Sequence, residues 1–330
     1  MMKKVFFAAF VLLIVMGFAA CSNKQVPVST VNLQLQNSVD SLLKQGMGEY
    51  GATEGMAIVV ETSTGNLRAM VGLKENSGKL VSDTTLFSKA RETFLFRSAS
   101  LLAALETGNV SLDDMFDTYA GIDVVGQDTI YDHNWRKGGY GELTLLQGLA
   151  YNSSIAIDKA VDVAYQDKDV FLQKLEQMGL EKDSTFKGSW PLYALGFHHI
   201  KPVNFVSFFN AIANGGKMVS LKSQDSSAIV VDSMIAEKKN IESMKKAFRF
   251  YVTNGLGKKA ESKMVNVAGT SGTIHTDDGI YADFCGYFPV EKPKYTVFVS
   301  YKRPEIPVSG GGMAGQTFRK IAELIMKTCK

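Results

Sequence analysis

Residues 55–72 read GMAIVVETSTGNLRAMVG and carry a clear secondary-structure signal. Apolar and β-branched residues fill both halves of this stretch, and four turn formers, Ser63, Thr64, Gly65 and Asn66, separate them. That pattern predicts two antiparallel strands joined by a short turn. The stretch is therefore expected to begin a β-sheet.

The rest of the chain divides into helical and strand-like runs. Apolar spacing predicts a helix before the hairpin, over VNLQLQNSVDSLLKQGM, and four helical regions after it: FRSASLLAALETG, GELTLLQGLAYNSSIAIDKAVDVA, DVFLQKLEQMGL and KPVNFVSFFNAIANGG. The last third reads as three strands, MVNVAGTSGTI, YADFCGYFPV and KYTVFVSYKR, followed by the helix GQTFRKIAELIMKTCK. This order predicts an α+β fold whose two ends meet in one sheet.

The N-terminal residues 1–20 have the pattern of an export signal. A positive start, MMKK, precedes the 14-residue apolar run VFFAAFVLLIVMGF and the small residues before Cys21. Phe18-Ala19-Ala20-Cys21 resembles a bacterial lipobox, in which the signal is cleaved before the cysteine and the thiol is acylated. We therefore expect a lipoprotein signal peptide over 1–20, a polar tether over 21–30 and a globular domain over 31–330. A plain signal peptide with an incidental cysteine is the alternative.

Composition limits the partners. The chain has 330 residues, 45% of them hydrophobic and 21% charged, which is typical of a globular protein with a sizeable core. Loss of residues 1–20 removes two of the 36 basic residues and none of the 33 acidic ones, for a net charge of +1. We expect no nucleic-acid partner and no polybasic membrane patch.

Cysteine and histidine usage predicts neither a disulfide framework nor a metal centre. Cys285 lies in an apolar run and is expected to be a packed thiol, although one bridge to Cys329 is open in an oxidising compartment. His198 and His199 are adjacent, and the four histidines lack metal-ligand spacing. We expect no metal and no cofactor.

The motif Ser-x-x-Lys, which some serine acyl-transfer enzymes use for attack, is found three times, at Ser41, Ser184 and Ser243. With 26 serines and 29 lysines in the chain, roughly two matches are expected by chance. The motif therefore needs support from its context. Ser41 lies on the first predicted helix, and Ser243, inside NIESMKKAFRFYV, is expected on the polar face of a further helix. STFK at 184–187 leads into GSWPLYALG without an apolar helix after it.

The order of segments resembles the transpeptidase domain of penicillin-binding proteins over about residues 31–330. The segments that carry the resemblance are LQLQNSVDSLL, GMAIVVETSTGNLRAMVG, LLAALETGNVSLDDMFDT, GELTLLQGLAYNSSIAI, ALGFHHIKPVNFVSFFNAIANGGKMV, VTNGLGKKA, and VAGTSGTI with DFCGYFPVEKPKYTVFVSY. The resemblance implies an antiparallel sheet flanked by helices, plus an all-helical lobe, as in serine β-lactamases. No domain for glycan polymerisation is implied.

The family's chemistry uses a nucleophilic serine with lysine three residues later, a Ser-x-Asn loop and a Lys-Thr-Gly strand. By resemblance the first motif falls on FLFR, so Phe94 stands in the place of the nucleophile and Arg97 in the place of the base. Phenylalanine cannot attack a carbonyl, and arginine stays protonated. The second motif falls on Asn152-Ser153-Ser154, so that Asn152 and Ser154 are its degenerate ends.

The third motif falls on Thr270, Ser271 and Gly272, followed by Thr273. The lysine of the family pattern is replaced by Thr270, but the segment keeps its hydroxyls and its glycine. These four residues are the predicted substrate-binding strand, since the family lines its peptide along this strand.

The main hypothesis is a catalytically inactive transpeptidase homologue, anchored to a bacterial membrane through Cys21 and facing the periplasm or the cell exterior. Its expected partner is a peptidoglycan stem peptide or an envelope protein. One alternative is an active D,D-transpeptidase or carboxypeptidase that uses Ser184, Ser98 or Ser154. Another is a structural envelope lipoprotein in which Phe94 and Phe96 fill the cleft.

Overall fold

The predicted hairpin is present in a computed structural model of the protein, which describes residues 29–328. Strand β1 (Glu54–Glu61) pairs antiparallel with β2 (Leu67–Asn76). Gly65 in the connecting turn has a φ of 73°, and a Cβ at this position would clash with the carbonyl oxygen of Ser220. The turn therefore requires glycine both for its backbone conformation and for its close packing against a later segment.

A six-stranded sheet joins the two ends of the chain, as the sequence predicts. Its strand order is β10-β11-β12-β1-β2-β3, where β3 is Lys79–Ser82, β10 is Ala268–Thr276, β11 is Gly279–Phe288 and β12 is Tyr295–Arg303. β1 and β12 pair antiparallel from Glu54 opposite Lys302 to Glu61 opposite Tyr295. The prediction of an α+β fold with an antiparallel sheet flanked by helices is confirmed.

Both faces of the central strand β1 are buried, because helices cover the sheet on each side. Met56, Ile58 and Val60 point into the larger core, which is shared with the helical lobe. Ala57 and Val59 point into the second core, against the first and last helices. This explains why β1 is apolar at almost every position rather than at alternate ones.

Nine α-helices lie within residues 29–328. They are α1 (Leu33–Tyr50), α2 (Arg97–Glu106), α3 (Leu145–Ala150), α4 (Ser154–Ala164), α5 (Lys168–Gln177), α6 (Trp190–Leu195), α7 (Pro202–Ala213), α8 (Lys238–Thr253) and α9 (Gly315–Thr328). α1 and α9 pack on one face of the sheet, and α2 to α7 with part of α8 form the lobe on the other. None of these helices is long and apolar enough to cross a membrane.

The region predicted as helical over GELTLLQGLAYNSSIAIDKAVDVA is two helices rather than one. Thr144 caps α3 in a capping box with Gln147, and the Ser153 side chain caps α4 by accepting a hydrogen bond from the Ala156 N–H. Each cap satisfies amide groups that would otherwise lack partners at a helix start. The break between the helices places Tyr151 to Ser153 at the edge of a cleft.

Short strands that were not predicted from the sequence complete the fold. β4 (Met115–Asp117) pairs with β7 (Glu142–Thr144), β5 (Ile122–Val125) with β6 (Asp128–Tyr131), and β8 (Met218–Val219) with β9 (Val230–Asp232). Cys285 is fully buried in β11, as expected of a packed thiol, and burial raises its pKa. The predicted signal peptide, the lipidation site Cys21 and Cys329 lie outside the described residues.

Candidate functional site

A cleft of about 520 Å³ lies where the sheet edge, the start of α2 and the α3–α4 loop meet. The strand β10, the turn before α2, the loop after β6 and the segment before α9 all contribute to its walls. The lining residues are Phe94, Arg97, Tyr131, Asp132, His133, Trp135, Asn152, Ser154, Leu256, Ser271, Thr273, His275, Val308, Ser309, Gly310 and Gly311. This volume is in the range of sites for small ligands.

The turn that begins α2 places Phe94 and Arg97 in this cleft. Residues Phe94–Phe96 form a 3-10 helix, and the Thr93 side chain caps it by accepting a hydrogen bond from the Leu95 N–H. The Phe94 ring lies under the Arg97 guanidinium, 4.2 Å from its central carbon to the ring centre. Phe94 also contacts Phe197 edge to face, at 5.1 Å between ring centres.

Arg97 is a buried cation that contacts no carboxylate among residues 29–328. Its Nε donates to the Phe94 carbonyl at 3.1 Å, and Nη1 donates to the Asn152 carbonyl at 2.8 Å and to Ser154 Oγ at 3.2 Å. Within residues 29–328, Nη2 donates to no group. Burial lowers the pKa of Arg97 to about 10, against the opposing influence of Asp132 and Tyr251, so the side chain remains charged at neutral pH.

Asp132 organises the loop between α3 and α4. Its Oδ2 accepts a 2.7 Å hydrogen bond from Ser153 Oγ, and its Oδ1 accepts one from the Ile155 N–H at 3.3 Å. Burial raises the pKa of Asp132, although these hydrogen bonds favour its ionised form. Asn152, the residue before Ser153, adopts a left-handed φ of 54°. This conformation directs its side-chain amide across the cleft towards Ser271.

β10 contributes alternate residues to the cleft. Ser271 and Thr273 line it, whereas Thr270 and Gly272 lie on the other face of the strand. Ser271 Oγ is hydrogen-bonded to the hydroxyl of Tyr251, a fully buried residue of α8. Burial raises the pKa of Tyr251, so its hydroxyl is neutral at physiological pH.

Glycines bring three segments unusually close together at the cleft floor. A Cβ on Gly272 would lie 2.9 Å from the Leu95 amide nitrogen and 3.1 Å from Phe94 Cβ. A Cβ on Gly310 would clash with the backbone of β10, and the Gly310 N–H donates to Thr273 Oγ1 at 2.9 Å. The close approach of β10, the α2 turn and the segment before α9 therefore depends on these two positions.

Aromatic side chains surround the cleft mouth. The Tyr131 and Trp135 ring centres are 5.4 Å apart, and Tyr140 stacks on Tyr151 at 5.2 Å. His133 is hydrogen-bonded through Nε2 to the Tyr140 hydroxyl at 3.2 Å, and burial lowers its pKa. This rim offers flat apolar surfaces next to polar groups, as peptide- and ligand-binding sites often do.

Comparison with known proteins identifies the family. The model of the penicillin-binding protein transpeptidase domain matches residues 55–323. The chain belongs to the penicillin-binding protein transpeptidase family.

Solved structures share this fold at low sequence identity. A peptidoglycan glycosyltransferase from Burkholderia ambifaria is 19% identical, with a TM-score of 0.78 over 92% of this chain and 98% of that chain. The transpeptidase domain of penicillin-binding protein 3 from Burkholderia pseudomallei is 18% identical, with a TM-score of 0.78 over 93% and 97%. The transpeptidase domain of a D,D-transpeptidase from Legionella pneumophila is 21% identical, with a TM-score of 0.67 over 91% and 98%.

The transpeptidase-like cleft contains several, but not all, of the residues singled out from the sequence. Phe94, Arg97, Asn152, Ser154, Ser271 and Thr273 line it. The serines of the three Ser-x-x-Lys matches do not: Ser184 is exposed in a turn between α5 and α6, Ser41 lies on α1 and Ser243 on α8. Ser98 is buried in α2, where its Oγ has no hydrogen-bond partner among the described residues.

Two residues that organise the cleft escaped the sequence analysis, as did lining residues such as Tyr131, His133 and Ser309. Asp132 comes from the loop after β6, and Tyr251 comes from α8, far from any recognised motif. The one sequence signal was the polar-aromatic run YDHNW at 131–135, which is atypical of a plain surface turn. In residues 29–328, no group of three or more His, Cys, Asp or Glu side chains is arranged to hold a metal ion.

Proposed function

We propose that this protein binds a peptide in its transpeptidase-like cleft without forming an acyl-enzyme. The observation that carries this proposal is the pair at the start of α2, where Phe94 and Arg97 line the cleft. By resemblance, these positions belong to the catalytic serine and lysine of the family. Loss of the nucleophile alone costs a serine hydrolase on the order of 10⁶ in turnover, so the family reaction is not expected here.

The remaining hydroxyls of the cleft are poorly placed for nucleophilic catalysis, which requires a base within hydrogen-bonding distance. Of the Ser and Thr side chains that line it, Ser154 faces the Arg97 guanidinium and Ser271 contacts the neutral Tyr251 hydroxyl. Thr273 accepts a hydrogen bond from the Gly310 N–H, and Ser309 accepts one from the Gly312 N–H. Ser153 does contact the carboxylate of Asp132, but it is fully buried and caps α4. No lysine lines the described cleft.

The polar groups of the cleft do support binding of a peptide. Arg97 holds a positive charge at the cleft floor, and its Nη2, which donates to no group in the described part of the chain, can donate to a ligand oxygen. Ser271 and Thr273 present hydroxyls from β10, which is the edge strand of the sheet. A peptide that carries a carboxylate could add along this edge and place its charge against Arg97. We propose a peptidoglycan stem peptide as the ligand.

The proposed location rests on the N-terminal sequence pattern. The proposed acylation of Cys21 would hold the domain at a bacterial membrane, facing the periplasm or the cell exterior. Support comes from the basic start, the apolar run and the small residues that precede this cysteine. Ser22, directly after this cysteine, favours the outer membrane of a Gram-negative bacterium by resemblance to well-studied lipoproteins.

A fluorescent β-lactam tests the absence of acylation. The purified protein is incubated with the probe, denatured and analysed for covalent fluorescence beside an active family member at equal concentration. We expect no adduct on this chain. An adduct that disappears in the variant Ser154→Ala, or in Ser98→Ala or Ser184→Ala, would establish the active alternative and identify its nucleophile.

Isothermal titration with a purified stem peptide tests binding. We expect saturable heat, and at least tenfold weaker binding for Arg97→Met, because a hydrogen bond to a charged group contributes about 1.5–3 kcal/mol. Arg249→Met is the matched control, since Arg249 pairs with Glu261 and does not line the cleft. Absence of heat at millimolar peptide would contradict the proposal and favour a purely structural role.

A further inference from the structure

The N-terminal tether meets the domain beside the β8–β9 hairpin. The Thr30 N–H donates to the Ser223 carbonyl at 3.0 Å, and Ser29 forms an antiparallel bridge with Gln224. The Thr30 hydroxyl also donates to the Leu67 carbonyl at 2.9 Å. These contacts fix the point where the chain enters the domain, at the loop over 220–229 and the start of β2.

The same hairpin presents an apolar surface to solvent. Ile229, Val230, Val231 and Met234 are between 46% and 60% exposed, and we call these four residues the β9 patch. The Ile229 carbonyl accepts a hydrogen bond from the Ser220 N–H at 2.9 Å. Because Ser220 is only four residues from Gln224, the patch begins within about 20 Å of the tether contact.

The length of the tether limits how far the β9 patch can lie from the membrane. Ser29 lies eight positions after Cys21, with seven residues between them. A chain of eight residues spans at most about 28 Å when fully extended, and about 16 Å on average when flexible. With Cys21 in the membrane, the β9 patch would thus be held within reach of the lipid surface, where tethering gives a high effective concentration.

We propose that the β9 patch docks on the surface of the lipid bilayer in which Cys21 is anchored, so that the domain has one preferred orientation on the membrane. This inference rests on the lipid anchor advanced under the proposed function. Valine, isoleucine and methionine gain free energy when they leave water for the interfacial region of a bilayer. A second contact besides the acyl chains is also what converts a loose tether into an oriented attachment.

The sheet register separates the peptide cleft from the tether contact, and no residue of the β9 patch lines the cleft. The tether contact lies at Leu67, at the end of the sheet where β10 begins at Ala268. Ser271, Thr273 and His275 follow three, five and seven residues further along β10, which is four strands away from β2. At about 3.4 Å per residue and 4.8 Å per strand, the cleft lies on the order of 20–30 Å from the tether contact. Docking through the β9 patch therefore leaves the cleft free for a soluble or cell-wall peptide.

Environment-sensitive labels on the lipidated full-length protein test the docking. A dye is attached at Val231→Cys, or at Val170→Cys on α5 as the matched exposed control, with Cys329→Ser in both proteins. Each protein is reconstituted into vesicles of phosphatidylethanolamine and phosphatidylglycerol with spin-labelled quencher lipids. We expect at least threefold stronger quenching at position 231 than at position 170, and loss of this difference when Ile229→Ser and Val230→Ser are added.

Three results would overturn the inference. The first is equal quenching at the two positions on a protein whose Cys21 is acylated by mass spectrometry, which would leave the proposed anchor intact. The second is an unmodified Cys21, which would remove the anchor and the inference together. The third is disulfide formation between two copies at Val231→Cys in detergent without vesicles, which would assign the β9 patch to a second copy of the chain.

Discussion

Two arginines six residues apart are buried to a similar degree but have opposite surroundings. Arg91 is 8% exposed and forms a bidentate pair with Asp283, at 2.7 and 2.9 Å, with a third hydrogen bond to Ser300. Arg97 is 5% exposed and donates only to two backbone carbonyls and one hydroxyl within the described residues. The pKa of Arg91 is raised, since Asp283 outweighs the effect of burial, whereas the pKa of Arg97 is lowered to about 10.

The contrast assigns the two charges different roles. The charge of Arg91 stabilises the fold through Asp283, whereas the charge of Arg97 is available to bind a ligand. Asp283 Oδ2 also accepts a hydrogen bond from the Thr93 hydroxyl at 2.8 Å, and this contact fixes the turn that leads into α2. Arg97, on the cleft side of the same turn, forms no hydrogen bond to a carboxylate within residues 29–328, and Asp132 influences its charge only from a distance. A buried cation of this kind costs free energy unless it gains a partner, and a ligand carboxylate could be that partner.

The largest effect is expected at the paired arginine. Arg91→Met should lower the free energy of unfolding by about 3–5 kcal/mol, because it leaves the Asp283 carboxylate buried without a counter-charge. Urea denaturation measures the change. The double variant Arg91→Met, Asp283→Leu should recover part of the loss. A loss below about 1 kcal/mol would remove the distinction between the two arginines.

His198 is a third buried basic side chain, and it differs from both arginines because it is neutral in the folded protein at neutral pH. It is fully buried, stacks on Tyr193 at 3.8 Å between ring centres, and burial lowers its pKa to about 4. As pH falls from 6.5 to 4, the unfolded chain takes up a proton that the folded chain does not, so stability falls. The wild type should lose up to about 3 kcal/mol more than His198→Phe over this range. Parallel stability curves for the two proteins would contradict the assignment.

Gly272 lies where β10 closely approaches the turn that contains Phe94 and Leu95. Gly272→Ala should cost about 1–3 kcal/mol, because the new Cβ would press on Phe94 and on the Leu95 amide. It should also weaken stem-peptide binding by moving β10 relative to Arg97. Gly48→Ala is the control, since within residues 29–328 a Cβ at that position meets no atom within 4 Å apart from its chain neighbours and the backbone of its own helix. Unfolding and titration of both variants give the comparison.

The smallest effect on stability is expected at Arg97. The variant Arg97→Met should change the free energy of unfolding by less than about 1 kcal/mol, since the lost hydrogen bonds are offset by removal of a buried charge. Urea denaturation beside Arg91→Met provides a like-for-like comparison. A loss equal to that of Arg91→Met would show that the Arg97 charge has a structural role.

The elements of the fold could be predicted from the sequence because their signals are local. The run over 55–72 predicted β1 and β2, and the three late apolar runs predicted β10 to β12. The single predicted helical region became α3 and α4, since two side-chain caps interrupt a pattern that remains apolar throughout. The apolar periodicity of a helix does not by itself predict such a break.

The cleft was only partly predictable, because its chemistry depends on contacts between distant segments. Resemblance located Phe94, Arg97 and Asn152 in sequence. The role of Asp132 depends on a hydrogen bond to Ser153, 21 residues away, and that of Tyr251 on its contact with Ser271. Nor could the sequence distinguish Arg91 from Arg97, since the deciding residue, Asp283, lies nearly two hundred residues downstream.

The pairing of β1 with β12 has a consequence for how the chain reaches its native state. These two central strands are separated by more than 230 residues, so the sheet cannot close until almost the whole chain has been made. Until then, the β1–β2 hairpin exposes an apolar edge that is prone to pair wrongly. Long-range pairing of this kind slows folding. A protein exported as an unfolded chain would close its sheet only after its last strand had crossed the membrane, and it would depend on protection of that edge in the meantime.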